Sequence, residues 1–170
     1  MTREKSCCFT GHRSLSEEAC RLAVRRLAPL ISSLAERGIT TFYAGGAIGF
    51  DLAASVSVLN AKALHPELTL ILALPCRDHM LRWRALDREL FQQVMKRADE
   101  TVYLSEKYTR GCMQIRNRYM VDRSAFCICW LTESKGGTYQ TVRYAEKKGL
   151  GILNLARGEE DFAAEPENLL

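Results

Sequence analysis

The 170-residue sequence contains no run of about eighteen apolar residues, the length a bilayer-crossing helix requires, and its start, Met1-Thr2-Arg3-Glu4-Lys5, lacks the apolar core of a secretory leader. The expectation is a soluble, cytoplasmic protein that does not enter a membrane. None of its seven cysteines forms a CxxC pair, and its three histidines, His12, His65 and His79, stand singly. This argues against both a structural metal site and a disulfide framework. It makes the cysteines reduced, small apolar residues, with Cys7, Cys8, Cys127 and Cys129 inside expected strands. There is no internal repeat or low-complexity segment, and no dense basic run interleaved with aromatics of the kind that tracks single-stranded nucleic acid.

What is present is a 47% hydrophobic chain, enough for one substantial core. Charge is uneven along it. From Arg157 onward there are one base and five acids, so residues 1–156 carry 23 bases against 15 acids, a net +8 within an overall +4. A single domain over 1–156 followed by a loosely ordered acidic tail, 157–170, is expected. The basic body suits a phosphate-bearing ligand or nucleic acid.

Short apolar runs alternate with helical patterns. Strands are expected at 6–9, 40–44, 69–74, 100–104, 125–131 and 151–155, with helices near 17–37, 52–64, 82–97, 113–122 and 139–148. Two stripes at helical spacing, Leu52-Val56-Leu59-Ala63 and Trp83-Leu86-Leu90-Val94, each mark an expected buried face, and Pro29 predicts a kink or break in the first helix. This alternation predicts an α/β fold of the Rossmann-like kind, a three-layer sandwich with a mostly parallel sheet and helices on both faces.

In such a sheet ligands bind beyond the carboxyl ends of the strands, and polar residues collect there. Thr10-Gly11-His12-Arg13 follows the first strand and offers a hydroxyl, a bare backbone, an imidazole and a guanidinium for phosphate or carboxylate, or else forms an ordinary turn. Gly45-Gly46-Ala47-Ile48-Gly49-Phe50-Asp51 joins a strand to a helix, where backbone N–H groups and the positive end of the helix dipole favour an anion. Gly136-Gly137-Thr138 repeats that arrangement later in the chain, and two such turns point to two ends of one ligand. Asp51 is either a helix cap or a group that binds sugar hydroxyls or exchanges a proton. Arg116 is a candidate phosphate clamp, Asn117 a candidate base or sugar contact, and Trp83 and Tyr108 either stack on a base or serve packing; His65 and His79 read as surface histidines.

Thr10-Gly11-His12-Arg13, the glycine loop 45–51, Arg116-Asn117-Arg118-Tyr119-Met120-Val121-Asp122 and Gly136-Gly137-Thr138, in this order and spacing, resemble the YpsA-like branch of the SLOG superfamily over roughly residues 6–155. The resemblance implies a Rossmann-like domain that binds a nucleotide-derived ligand such as ADP-ribose, NAD or a nucleoside monophosphate, with no obligatory cofactor or metal and a homo-oligomeric state. The superfamily includes the Lonely Guy phosphoribohydrolases and the DNA-processing protein DprA. Arg116 and Met120 are similar to the RxxxM motif of the former, and loop 45–51 is similar to the glycine loop of the latter. The hydrolases carry a catalytic glutamate after their second glycine turn, where this chain has Gln140 and Thr141. Cleavage of an N-glycosidic bond would then need its carboxylate from Asp51 or Asp122, with Arg116 assisting. Three functions follow as expectations: a sensor or regulatory domain that binds a phosphorylated nucleotide, a nucleoside-phosphate N-glycosidase, and a module for single-stranded nucleic acid.

Overall fold

Nearly continuous apolar runs such as Thr69–Leu74 suit strands covered on both faces, and six such segments form one sheet. They are β1 (Ser6–Gly11), β2 (Thr41–Ala44), β3 (Thr69–Leu74), β4 (Glu100–Tyr103), β5 (Phe126–Trp130) and β6 (Gly151–Asn154). Every pairing is parallel and the order is β4-β3-β2-β1-β5-β6. The computed structural model describes residues 1–162. Helices α1 (Glu17–Glu36), α2 (Phe50–Ala61), α3 (Ala85–Arg97), α4 (Cys112–Asp122) and α5 (Gly136–Lys147) connect the strands.

Two cores result, one on each sheet face. α1, α2 and α3 bury Leu27, Ile31, Val58 and Phe91 against Phe9, Phe42 and Leu72. α4 and α5 bury Met120, Val121, Val142 and Ala145 against Cys8, Tyr43, Ile71 and Cys127. The fold is therefore an α/β Rossmann-like three-layer sandwich. All seven cysteines are free, and six are buried. Among the described residues no helix is long and apolar enough to cross a membrane, and no cluster of three or more His, Cys, Asp or Glu could hold a metal ion.

The helices depart from their sequence patterns in instructive ways. α1 runs unbroken through Pro29, because Ala23 and Leu27 before it and Leu30, Ile31 and Leu34 after it are all buried on one side, and packing holds both halves in line. α2 is enclosed on almost every side, so the stripe Leu52-Val56-Leu59-Ala63 is not its principal buried face; Ala54, Ser55 and Val58 are fully buried instead. In α3 the buried residues are Phe91 and Val94, whereas Leu86 and Leu90 are 64% and 44% exposed. Trp83 precedes that helix, so the expected stripe is broken at both its middle and its start.

Part of the acidic tail lies against the body. The Glu159 carboxylate accepts a hydrogen bond from the Asn154 amide at 2.6 Å, and the Phe162 ring sits 4.8 Å from that of Phe126. Residues 163–170, on which part of the expectation of a loose tail falls, lie outside the described residues.

The strand order has one reversal point. From β1 the chain steps outward through β2, β3 and β4, then crosses back to place β5 on the other side of β1. The loops leaving β1 and β5 thus diverge, which opens a crevice at the carboxyl end of the sheet.

Candidate functional site

A cavity of about 500 Å³ occupies that crevice. This is within the range of roughly 300–1,000 Å³ typical of small-molecule sites. Four strand ends with the segments that follow them, and α4, build it: Thr10 and Gly11 at the end of β1 with Arg13 beyond it, Gly46 and Ala47 after β2 with Asp51 in the first turn of α2, Pro75, His79 and Trp83 after β3, Lys135 after β5 with Gly136 to Thr138 in the first turn of α5, and Met113, Arg116 and Asn117 from α4. The two glycine turns, separated by about ninety residues in sequence, therefore face one space. Of the candidate residues, Thr10, Gly11, Arg13, Gly46, Asp51, Arg116, Asn117, Gly136, Gly137 and Thr138 line it; Gly45 and Gly49 do not.

The reason lies in packing. A Cβ on Gly45 would stand 2.4 Å from Arg116 Nη1 and 2.8 Å from Asp51 Oδ2, and one on Gly49 would stand 2.4 Å from the Arg13 carbonyl. These two glycines are bare so that the protein can close on itself. Gly137 is different: a Cβ there would meet nothing within 4 Å, and its φ lies outside the left-handed region. Neither packing nor backbone conformation in the described residues requires a glycine at 137.

Asp51 and Arg116 are both buried beneath the first turn, at 5% and 7% exposure. Burial raises the Asp51 pKa to about 6, against the opposing pull of the Arg116 guanidinium, hydrogen bonds from the Ala47 and Gly45 backbones, and Arg13. Asp51 thus holds down amides of its own glycine loop, and those donors are turned toward the carboxylate. Arg116 is pushed below the usual arginine range by burial, with Asp51 opposing.

Arg116 also begins a hydrogen-bond chain that joins the two turns. Its Nη1 donates to the Gly45 carbonyl, and its Nε donates to Asn117 Oδ1 at 2.7 Å. Asn117 Nδ2 donates to Thr141 Oγ1 at 2.8 Å, and Thr141 Oγ1 donates to the Gly137 carbonyl at 2.8 Å. Both polar ends of the Asn117 amide are engaged within the protein, which makes it a positioning residue. Thr141, read from sequence only as an occupant of the missing glutamate's region, is the link that this chain requires. Gln140 does not line the cavity.

The cations that face the cavity are Arg13, Arg116 and Lys135, against the acids Asp51 and Glu133. Arg13 and Lys135 are exposed and make no hydrogen bond or ion pair among the described residues. Lys135 is the N-cap of α5, and no side chain caps that helix end, so its first-turn amides point outward from an uncapped positive terminus.

His79, expected at the surface, lies in the cavity wall. Its Nδ1 stands 3.0 Å from the Cys76 carbonyl, and its ring meets those of Trp83 and Phe91 edge-on at 5.4 and 5.7 Å. The signal that locates it is its position in the loop after β3, not its residue type. Tyr108 is 61% exposed and does not line the cavity; its amide donates to Asp78 Oδ1 at 3.1 Å, tying together the loops after β3 and β4.

A family model described as YpsA, the YspA SLOG family, matches residues 8–150. The chain is similar to the uncharacterized SPbeta prophage-derived protein YoqJ of Bacillus subtilis (strain 168), 29% identical over 143 residues that cover 77% of this chain and 84% of YoqJ. Among solved structures it superposes on DNA processing protein A (DprA) of Streptococcus pneumoniae with a TM-score of 0.66 and 16% identity, covering 86% of this chain but 48% of that one. DprA of Helicobacter pylori, whose structure describes a single-stranded DNA binding mode, gives 0.62 and 20%, covering 89% of this chain and 64% of that one. The chain therefore spans about half to two thirds of these two proteins, and at such identities the likeness is one of fold.

Proposed function

This chain belongs to the YspA SLOG family, and from that membership and the cavity's construction we infer that it binds a phosphorylated, nucleotide-derived ligand across its strand ends, as a sensor or regulatory domain. The observation that carries the reading is Gly137. It is a bare residue in the first turn of an uncapped helix, beside an unpaired lysine, and packing does not explain its lack of a side chain. Close approach of a phosphate to the main chain does explain it. Gly136, Gly137 and Thr138 hold the phosphate from one side with Lys135, and Arg13 closes on it from β1. Gly45, Gly49 and Asp51 brace the opposite turn, while Arg116 and Asn117 hold the two turns in register.

Ligands of the AMP, ADP-ribose and NAD type are the candidates. A ligand held only by the folded state raises its melting temperature by mass action. A rise of several degrees with at least one of the three at millimolar concentration is the expected outcome; the absence of any shift removes the reading.

A second reading, N-glycosidic cleavage of a nucleoside monophosphate, is favoured by one feature, a buried carboxyl in the cavity whose pKa burial raises to about 6. Asp51 would supply the charge that Gln140 and Thr141 cannot. Release of adenine from AMP that disappears in Asp51→Asn is the result this reading requires.

The third, binding of single-stranded DNA in the manner described for DprA of H. pylori, draws on the shared fold and the +8 body. It requires an affinity that falls steeply between about 50 and 200 mM salt.

A further inference from the structure

The cavity has two chemically different ends. The loops after β3 and β5 flank it, and three interstrand spacings separate those strands, a span of about 14 Å at roughly 4.8 Å each. One phosphate on α5 leaves the β3 side unfilled. That side is aromatic and holds polar atoms without partners.

Trp83 Nε1 and His79 Nε2 are both buried and form no hydrogen bond among the described residues. Buried donors and acceptors in native proteins are nearly always paired, so two orphans on adjoining rings of one cavity wall mark a place where something else completes the pairing. Their chemistry is specific. Trp83 Nε1–H can only donate. Burial pushes the His79 pKa below the usual histidine range and keeps the ring neutral. Of its two nitrogens only Nδ1 has a carbonyl, that of Cys76, at hydrogen-bond distance and angle, which places the proton on Nδ1 and leaves Nε2 as an acceptor. The Gly46 carbonyl also approaches the ring, where it favours protonation. This wall therefore contains two acceptors, His79 Nε2 and Gly46 O, and one donor, Trp83 Nε1–H, the two ring nitrogens lying just beneath its surface. The loop that carries them is held from behind by Arg88, whose Nη2 donates to the carbonyls of Leu81 and Trp83 at 3.3 and 3.1 Å.

We propose that this end of the cavity is a subsite for an amino-substituted heteroaromatic base, whose exocyclic NH₂ donates to His79 Nε2 and Gly46 O and whose neighbouring ring nitrogen accepts from Trp83 Nε1–H. An oxo-substituted base places a carbonyl against two acceptors and is rejected by the same groups. Access requires a tilt of the Trp83 ring, which stands partly exposed at the cavity edge. The inference rests on the phosphate site at α5 and deepens it from phosphate recognition to base recognition.

The test titrates the full chain with AMP and CMP, each against its oxo counterpart, IMP or UMP, and with ribose 5-phosphate, following tryptophan emission and calorimetric heat. The sequence has two tryptophans, of which Trp83 lines the cavity and Trp130 does not, so the part of the emission change that is lost in Trp83→Phe is the signal of the subsite. At least one amino nucleotide is expected to bind about tenfold more tightly than its oxo counterpart and than ribose 5-phosphate, with a change in emission. In His79→Phe, and separately in Trp83→Phe, that preference should shrink to about twofold or less. Unchanged affinity for ribose 5-phosphate in the same variants shows that fold and phosphate end are intact. Equal affinities for amino and oxo nucleotides, or a preference that survives both substitutions, overturn the base subsite while leaving the phosphate reading standing. If neither the nucleotides nor ribose 5-phosphate bind, the phosphate reading fails and this inference fails with it.

Discussion

Asp51 and Arg116 are opposite charges withdrawn from water beneath one glycine turn, and their linkage to pH follows from burial. The folded-state pKa of Asp51, about 6, lies above the unfolded value near 3.9, so the native state binds the proton more tightly. Stability from this group is therefore present in full below about pH 4, declines as pH rises toward 6, and is gone above it. Asp51→Asn cannot ionise, so its melting temperature relative to the wild type should rise between pH 4 and 7; parallel profiles would refute the assignment. Arg116 has the reverse role, as the principal charge that opposes the burial penalty on Asp51. Arg116→Ala leaves the Gly45 carbonyl and the Asp51 carboxylate without that partner, and a loss of about 3–5 kcal/mol in urea unfolding is expected. A loss under about 1 kcal/mol would show that the buried guanidinium holds little in place.

Between residues and fold stands the chain from Gly45 through Arg116, Asn117 and Thr141 to Gly137, which fixes α4 and α5 to the first glycine turn. Thr141→Val keeps the shape and removes the hydroxyl, leaving Asn117 Nδ2 without its acceptor. Amide hydrogen exchange should accelerate at residues 140–143, whose N–H groups bond back to the first-turn carbonyls of α5, while β1 remains protected; unchanged exchange at those residues would mean that the link carries no constraint. The existence and order of these elements were legible because the strands are apolar runs and the glycine turns punctuate them. Helix faces were less so. Period alone selected Leu86, Leu90 and Val94, yet of these α3 buries only Val94, together with Phe91, whose ring packs toward Gly46. Likewise Pro29 looked like a break until the buried residues on both sides of it were placed on one helix. Amphipathic period reports that a face exists, and tertiary neighbours decide which one is covered.

For the whole molecule, the reversal of strand order at β1 decides where a ligand can sit, and it brings together loops that sequence reading could name only one at a time. The rule that polar residues cluster at strand ends picked out Thr10, Arg13, Asp51 and Gly137, and all four line one cavity. It could not separate glycines that serve packing from glycines that border open space, because that distinction depends on what a Cβ would touch. Gly45 and Gly49 would touch the protein; Gly137 would touch open space. Phosphate approach to the second turn can therefore be tested at one atom. Calorimetric titration of AMP, ADP-ribose and NAD into wild type and Gly137→Ala, with melting of each ligand-free protein, is the experiment. At least one ligand is predicted to bind the wild type and to lose about tenfold or more in affinity to the added methyl group. The ligand-free variant melts at the same temperature or higher, since alanine at a position it can adopt stabilises by about 0.4–1 kcal/mol. Equal affinity for the two proteins, or no binding by any of the three, would refute phosphate binding at this turn.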